Sequence, residues 1–129
     1  MLPPMPLPLE SLDALEVQIL VDNVPDALLP PKADVVARRP WGPSVENPLL
    51  DAPRVASAVV AEHGFACLVT ARRGERVHRL LFYAGLSPGT LVHNLERLEL
   101  DPREIEAVAL SHGHFDHSGG LAGLVERLR

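Results

Sequence analysis

Three of the six histidines in this chain stand beside one aspartate in a short stretch, in the order His-Gly-His-Phe-Asp-His from His112 to His117. Side chains two positions apart in an extended chain point to the same side, so His112 and His114 can reach one cation together. Asp116 and His117 are neighbours and can serve a second cation once the chain turns. Imidazole and carboxylate groups suit Zn²⁺, and also Fe or Mn. The spacing therefore predicts a metal site, and the alternative is a polar loop whose histidines are solvated or cap the next helix.

Two divalent cations held about 3.5–4 Å apart by such a stretch would bind a bridging hydroxide, which is a nucleophile at neutral pH. Asp116 would bind one cation and orient the hydroxide, which makes it the candidate catalytic residue. The cations would also stabilise the negative charge that develops on the bond under attack. The spacing thus predicts two divalent metal ions, Zn²⁺ being favoured over Fe or Mn, with a hydroxide that can act as a nucleophile.

The segments on either side of this stretch can hold it rigidly. An apolar run over residues 105–110 predicts a strand that delivers Ser111 and the histidines. Before it, Asp101 and the proline and glutamate that follow form a helix-start signal, with Asp101 as the cap. Residues 119–129 predict a helix, because their apolar positions recur at helical spacing. The candidate site thus lies on a loop between a strand and a helix.

The upstream half of the chain predicts more strands and another helix. Residues 16–21 alternate in polarity and predict the first strand, and residues 65–71 and 77–83 predict a hairpin. Residues 90–98 predict an amphipathic helix with Thr90 as its N-cap. His93 and Asn94 on this helix are interpreted as solvated surface residues. The pattern of strands and helices predicts an α/β fold.

Two proline-rich segments carry no periodicity. Residues 1–10 are interpreted as a flexible leader, and residues 11–129 as the domain. Within the domain, residues 25–53 predict a long loop. Trp41 lies on that loop, where it covers a substrate pocket or, as the favoured interpretation, pins the loop to the core.

Composition excludes several functions. The chain has 129 residues, a net charge of −5 and no strong cluster of basic residues, so nucleic-acid binding is not expected. No apolar run reaches the roughly 20 residues that cross a bilayer, and no membrane partner is expected. The single cysteine, Cys67, excludes an internal disulfide, which fits a reducing cytoplasm. The expected partner is a small-molecule substrate.

The histidine motif resembles the signature of the metallo-β-lactamase superfamily. His112-x-His114-x-Asp116-His117 stands after a strand and before Gly119-Gly120-Leu121, as in that family. Further blocks resemble one branch, which contains hydrolases similar to the archaeal dihydropterin-related phosphate synthase. These blocks are Leu20-Val21-Asp22-Asn23, Ala61-Glu62-His63-Gly64-Phe65, Leu80-Leu81-Phe82 and His93-Asn94-Leu95. The resemblance covers the chain from about residue 17 onward.

The resemblance implies the N-terminal half of an αββα sandwich, with His112 and His114 serving one metal and Asp116 and His117 the other. It also implies that Asp22 and Asn23 lie near the mouth of the active site, although their residue types are equally typical of a turn. His63 would face the metal cleft, and the alternative is a loop histidine hydrogen-bonded to backbone. Asp22, Asn23 and His63 are therefore candidate substrate-binding residues. The implied substrate is a small phosphorylated or pterin-like molecule.

The chain departs from the family pattern at Tyr83, where the superfamily usually has an aspartate that orients metal ligands. Tyrosine supplies no carboxylate, so either the site is weakened or another carboxylate takes its place. The family also completes each metal site with a later histidine that this chain lacks. We therefore expect a truncated hydrolase that binds metal weakly and turns over little. The alternative is a non-catalytic metal-binding or interaction module. In both cases an exposed apolar sheet face would favour a homo-oligomer.

Overall fold

The computed structural model describes residues 9–24, 44–46, 49, 54–56 and 58–129. The described residues form five strands, then a helix, a short 3₁₀ helix at Pro102–Glu104, a sixth strand and two more helices. The strands are β1 (Ala14–Val21), β2 (Ser44–Glu46), β3 (Arg54–Ala56), β4 (Ala66–Arg73), β5 (Arg76–Phe82) and β6 (Ala107–Ala109). The helices are α1 (Pro88–Arg97), α2 (Phe115–Ser118) and α3 (Leu121–Leu128). None of the described helices is long and apolar enough to cross a bilayer.

The larger sheet has the strand order β1-β4-β5-β6. β1 and β5 each pair antiparallel with β4, whereas β6 pairs parallel with β5. A parallel pair needs a crossover connection, and α1 supplies it between β5 and β6. β2 and β3 form a separate antiparallel pair. The predicted α/β class is confirmed.

The core lies between one face of the sheet and the helices α1 and α3. Leu68 on β4 stands opposite Leu81 on β5, so both side chains project to the same face. Leu91 and Leu95 of α1 and Leu124 of α3 pack against that face and are almost fully buried. The helical spacing of these leucines places them on one stripe of each helix, which is why the helices pack there.

A buried asparagine links α1 to the sheet. Asn94 has no exposed surface, although its residue type is usually found outside. Its amide group donates to the carbonyls of Leu20 and Val60, at 2.7 and 2.8 Å, and its Oδ1 accepts from the amide of Val60 at 2.8 Å. The interpretation of Asn94 as a solvated residue is therefore wrong. Its neighbour His93 is half-buried and its Nε2 lies 3.1 Å from the carbonyl oxygen of Ala58.

The opposite face of the sheet exposes apolar side chains along β1. Leu15, Val17 and Ile19 alternate along the strand and are 61%, 55% and 49% exposed. In register they stand beside Val69 and Cys67 of β4, which extend the same apolar face inward. Burial raises the pKa of the Cys67 thiol above its ordinary value. Leu15, Val17 and Ile19 therefore leave an apolar surface on this face of β1 that is about half exposed.

Several helix boundaries in the structure differ from the predicted ones. The predicted helix at 90–98 begins earlier, at Pro88, with Ser87 and not Thr90 as its N-cap residue. The predicted helix at 119–129 is α3, which begins at Leu121, and the short helix α2 precedes it within the predicted loop. The capping role predicted for Asp101 is confirmed, because its side chain accepts from the amide of Arg103.

The proline-rich segments are only partly described. The leader lies outside the described residues except for positions 9 and 10, and Trp41 lies wholly outside them. Within the predicted loop at 25–53, residues 44–46 form β2. The sequence did not reveal this short strand, because three residues are too few to show alternation.

Candidate metal centre

Two parallel strands bring the chemical groups to one edge of the sheet. The loop that follows β5 begins at Tyr83, and the loop that follows β6 contains Ser111 and His112. The ends of parallel strands lie side by side, and the crevice outside their carboxyl ends is where α/β sheets usually bind ligands. The amide of Tyr83 donates to the carbonyl of Ala109 at 3.0 Å, which holds the two loops together.

Three imidazole rings gather in this crevice. The ring centroid of His112 lies 4.5 Å from that of His114 and 4.8 Å from that of His117, and both pairs are edge-to-face. His112 and His114 are exposed, whereas the side chain of His117 is 20% exposed. Nδ1 of His117 is buried and, among the described residues, has no hydrogen-bond partner. The structure therefore brings together the three histidines that the spacing singled out.

Asp116 lies on α2 and stands between His117 of the same helix and His63 of a separate loop. Its Oδ2 lies 3.6 Å from Nε2 of His117 and 3.7 Å from Nε2 of His63. Both separations are longer than an ordinary hydrogen bond. Two donors bound to one tetrahedral Zn²⁺ lie about 3.4 Å apart, given metal–ligand distances near 2.0–2.2 Å. Each nitrogen–oxygen pair is thus spaced nearly as two ligands of a single ion would be.

The candidate ligands fit a divalent metal in their residue types and in the distances between nitrogen and oxygen atoms. Imidazole nitrogens and a carboxylate oxygen are the ligands that Zn²⁺ takes in proteins. In His117 the nitrogen that faces Asp116 is Nε2, whereas Nδ1 is buried and unpaired among the described residues. No three His, Cys, Asp or Glu side chains among the described residues are arranged to share one ion. A complete site therefore needs a further ligand or a small rearrangement.

The candidate substrate residues are divided between two places. His63 reaches the crevice through its contact with Asp116. Asp22 and Asn23 are exposed at the end of β1, where Oδ1 of Asp22 accepts from the amide of Asn23 at 2.7 Å. The carbonyl of Asp22 accepts from the amide of Glu62, one residue before His63. Asp22 therefore adjoins the loop that carries His63, and its local hydrogen bond is turn chemistry.

Tyr83 packs directly on the histidines. Its ring stacks on that of His117, with centroids 4.2 Å apart and an interplanar angle of 26°. Its hydroxyl lies 2.5 Å from Oγ of Ser111, which lies 2.7 Å from Nδ1 of His112. The backbone of Tyr83 has φ 62°, the left-handed region that bulky residues rarely adopt. The residue that departs from the family pattern thus contacts the predicted ligands.

Two glycines let the motif loop approach the backbone of the loop after β5. An added Cβ would lie 1.8 Å from the carbonyl oxygen of Leu86 at Gly119, and 1.9 Å from that of Ala84 at Gly120. No side chain fits at either position. The amide of Ala84 also donates to the carbonyl of His117 at 2.8 Å. These contacts fix the position of His117 relative to the sheet.

The sequence did not single out Glu62 by itself, yet this carboxylate holds the loops around the crevice. It accepts hydrogen bonds from the amides of Leu86 and Ser87 at 2.8 and 3.0 Å, and from Oγ1 of Thr90 at 2.9 Å. Burial acts to raise the pKa of Glu62, but the hydrogen bonds from Ser87, Thr90 and Leu86 outweigh it and the pKa lies below its ordinary value. The only sequence signal was its place beside His63.

Comparison with known proteins finds one matching family profile and two partial relatives. Residues 68–129 match the sequence profile described as the metallo-beta-lactamase superfamily. The chain is 31% identical over 68 residues to the 7,8-dihydropterin-6-methyl-4-(beta-D-ribofuranosyl)-aminobenzene-5'-phosphate synthase of Methanocaldococcus jannaschii, a match covering 53% of this chain and 23% of that protein. It is 39% identical over 66 residues to an uncharacterised protein of the same organism, covering 51% of this chain and 24% of the relative. The matched region is thus about a quarter of each relative's length.

Proposed function

Because residues 68–129 belong to the metallo-β-lactamase superfamily, we propose that this chain carries part of the active site of a metal-dependent hydrolase. The observation that carries the proposal is the gathering of the rings of His112, His114 and His117 at the carboxyl ends of two parallel strands, with Asp116 beside His117. The ring of His117 also stacks on Tyr83 and its side chain is only 20% exposed, which is not expected of a histidine that is merely solvated.

The proposed ligands are His112 and His114 for one divalent ion, and Asp116 and His117 for a second. Zn²⁺ is the favoured ion, with Fe or Mn as alternatives. When bound, such ions supply a nucleophile at neutral pH and stabilise the negative charge of the transition state. Asp116 would orient that nucleophile, because its Oδ2 lies between the rings of His63 and His117. His63, Asp22 and Asn23 would contact the substrate from the neighbouring loop.

The printed name of one relative guides the proposal for the substrate. That protein is named a synthase of a dihydropterin-linked ribofuranosyl aminobenzene phosphate. We therefore favour a small phosphorylated or pterin-like substrate over a macromolecule. The same name supports, as a second candidate, a bond-forming reaction at this site in place of hydrolysis. The cytoplasm remains our expectation for the compartment.

Zinc titration of this chain tests the metal site. We expect weak Zn²⁺ binding by isothermal titration calorimetry, and His112→Ala and Asp116→Asn each to weaken it by at least about tenfold, because each removes a ligand. His78→Ala is the matched control, since His78 is an exposed histidine paired with Glu106 outside the crevice. Unchanged affinity in both site variants would contradict the proposed ligands. Two tight sites in the unaltered chain would contradict our expectation that the sites are incomplete.

Turnover separates the enzyme from the alternative, a metal-binding or interaction module without activity. The assay follows hydrolysis of bis(p-nitrophenyl) phosphate and p-nitrophenyl acetate with added Zn²⁺ or Mn²⁺, in this chain and in the product of the complete reading frame. We expect activity in the latter that Asp116→Asn abolishes and His78→Ala leaves unchanged. Zinc binding without any turnover in both proteins would favour the module.

A further inference from the structure

One nitrogen of His112 is already held by the protein. Nδ1 of His112 lies 2.7 Å from Oγ of Ser111, and that Oγ lies 2.5 Å from the hydroxyl of Tyr83. The three groups form a chain of hydrogen bonds that runs from the loop after β5 to the loop after β6. With Nδ1 engaged, Nε2 is the nitrogen of His112 that is left for a metal ion.

The proton positions in this chain depend on which nitrogen of His112 binds metal. A neutral imidazole that binds through Nε2 carries its proton on Nδ1. Nδ1–H then donates to Oγ of Ser111, and the hydroxyl of Ser111 can donate to the phenolic oxygen of Tyr83. A phenol can accept that hydrogen bond as well as donate one, whereas a phenylalanine ring cannot. With a metal ion on Nε2, Tyr83 would be the terminal acceptor of the chain.

The ring of Tyr83 has a second contact that restricts a predicted ligand. It stacks on His117 with centroids 4.2 Å apart, and its other neighbours are Phe82, with centroids 4.2 Å apart, and Phe65, with centroids 6.3 Å apart. The surrounding aromatic rings fix the orientation of Tyr83, and the stacked ring limits rotation of His117. Its left-handed backbone is an additional cost that the surrounding contacts must offset.

We infer that Tyr83 is a positioning residue for the metal ligands: its hydroxyl, acting through Ser111, orients the ring of His112 so that Nε2 is left for a metal ion, and its ring holds His117 by stacking. This inference rests on the proposed metal site. Tyr83 itself binds no metal. It performs by hydrogen bonding through a serine the orienting role that the resembled family gives to an aspartate.

The hydroxyl is tested by Zn²⁺ affinity in three variants. Tyr83→Phe removes only the hydroxyl and Ser111→Ala removes the intermediate group, so each should weaken Zn²⁺ binding about tenfold. The double variant should be no weaker than the weaker single variant, because both changes break the same chain. Additive losses, or unchanged affinity in either single variant, would overturn the inference. His78→Ala again serves as control.

Side-chain nitrogen spectra test the inference without metal or activity. In long-range ¹H–¹⁵N correlation spectra of the metal-free protein, Tyr83→Phe should shift the Nδ1 resonance of His112 and leave His78 unchanged. The ring protons of His117 should lose their upfield ring-current shift in Tyr83→Leu and keep it in Tyr83→Phe. Unchanged spectra in both variants would overturn the inference even if zinc binds. Spectral changes in a protein that binds no zinc would support the positioning contacts and contradict the proposed metal site.

Discussion

Glu62 holds the loops around the crevice in place, although it is not one of the proposed metal ligands. It lies beside His63 and accepts three hydrogen bonds from the start of α1 and the residues before it. A negative charge at a helix N-terminus is also favoured by the helix dipole. The position of His63 next to Asp116 therefore depends on the ionised form of Glu62.

Replacing Glu62 with glutamine should destabilise the protein in a pH-dependent way. The pKa of Glu62 in the folded protein lies below its ordinary value of 4.5, so its stabilisation is fully present above that pH and is lost as the pH falls through the lowered pKa. Glu62→Gln should cost about 1–2 kcal/mol at neutral pH, because hydrogen bonds to a charged group become neutral ones. Chemical denaturation between pH 3 and 7 would measure this.

The control for this prediction is Glu75→Gln, in the exposed turn between β4 and β5. It should change stability by less than about 0.5 kcal/mol. The difference between Glu62→Gln and the unaltered chain should shrink below pH 4.5. A difference that grows on acidification would contradict the assigned role.

At the scale of elements, α1 is attached to the sheet by a polar contact inside an apolar layer. Asn94 satisfies three backbone groups, namely the carbonyl of Leu20 at the irregularity in β1 and the carbonyl and amide of Val60. The leucines around Asn94 contribute buried apolar surface but no directional hydrogen bonds. Asn94 therefore fixes how α1 lies against β1 and the segment before Glu62.

Asn94→Leu should destabilise the protein by about 2–4 kcal/mol, because it leaves those backbone groups unpaired and places a larger side chain in a fully buried site. Thermal and urea denaturation would measure the loss. Asn23→Leu makes the same change at an exposed position and should stay within about 0.5 kcal/mol of the unaltered chain. Equal effects at the two positions would show that the buried hydrogen bonds contribute nothing.

The turn between α2 and α3 is the second element on which the site depends. Gly119→Ala should cost more than about 2 kcal/mol and weaken Zn²⁺ binding, because an added methyl group meets the carbonyl of Leu86. Gly113→Ala is the matched control within the motif, since a Cβ there meets nothing within 4 Å. Denaturation and zinc titration of both variants would test this. A tolerated Gly119→Ala would contradict the close backbone contact.

At the scale of the whole molecule, the sheet has one covered face and one open face in the described residues. Leu15, Val17 and Ile19 present apolar side chains on the open face. Contiguous apolar surface of this kind favours association with another surface. The homo-oligomer therefore stays a prediction, and the open face of the sheet is its expected interface.

Val17→Lys should reduce self-association of this chain, because it places a charge at the centre of the open face. Sedimentation velocity should show a shift toward the monomer at equal protein concentration. Val125→Lys alters an equally exposed valine on α3 and should leave the distribution unchanged. A monomeric unaltered chain would refute the prediction directly.

The sequence predicted local features better than contacts across the fold. Alternation and helical spacing located β1, β4, β5 and α1 because these patterns are properties of each segment alone. The stretch from His112 to His117 was found for the same reason. The burial of Asn94 and the three hydrogen bonds of Glu62 depend on segments distant in sequence, which no local pattern encodes. Likewise, Tyr83 could be identified as a departure from a family, but not as the partner of Ser111.

Because the backbones of Gly119 and Leu86 are in contact, metal binding in the crevice could be detected at a distance from it. Leu86 and the next residue, Ser87, are held by Glu62, so the crevice and the first turn of α1 are joined with no flexible side chain between them. An ion that slows the fluctuations of Asp116 would also damp those of Ser87. A fluorescent or spin label near that first turn could then act as a remote reporter of metal loading, placed where it blocks neither ligand nor substrate.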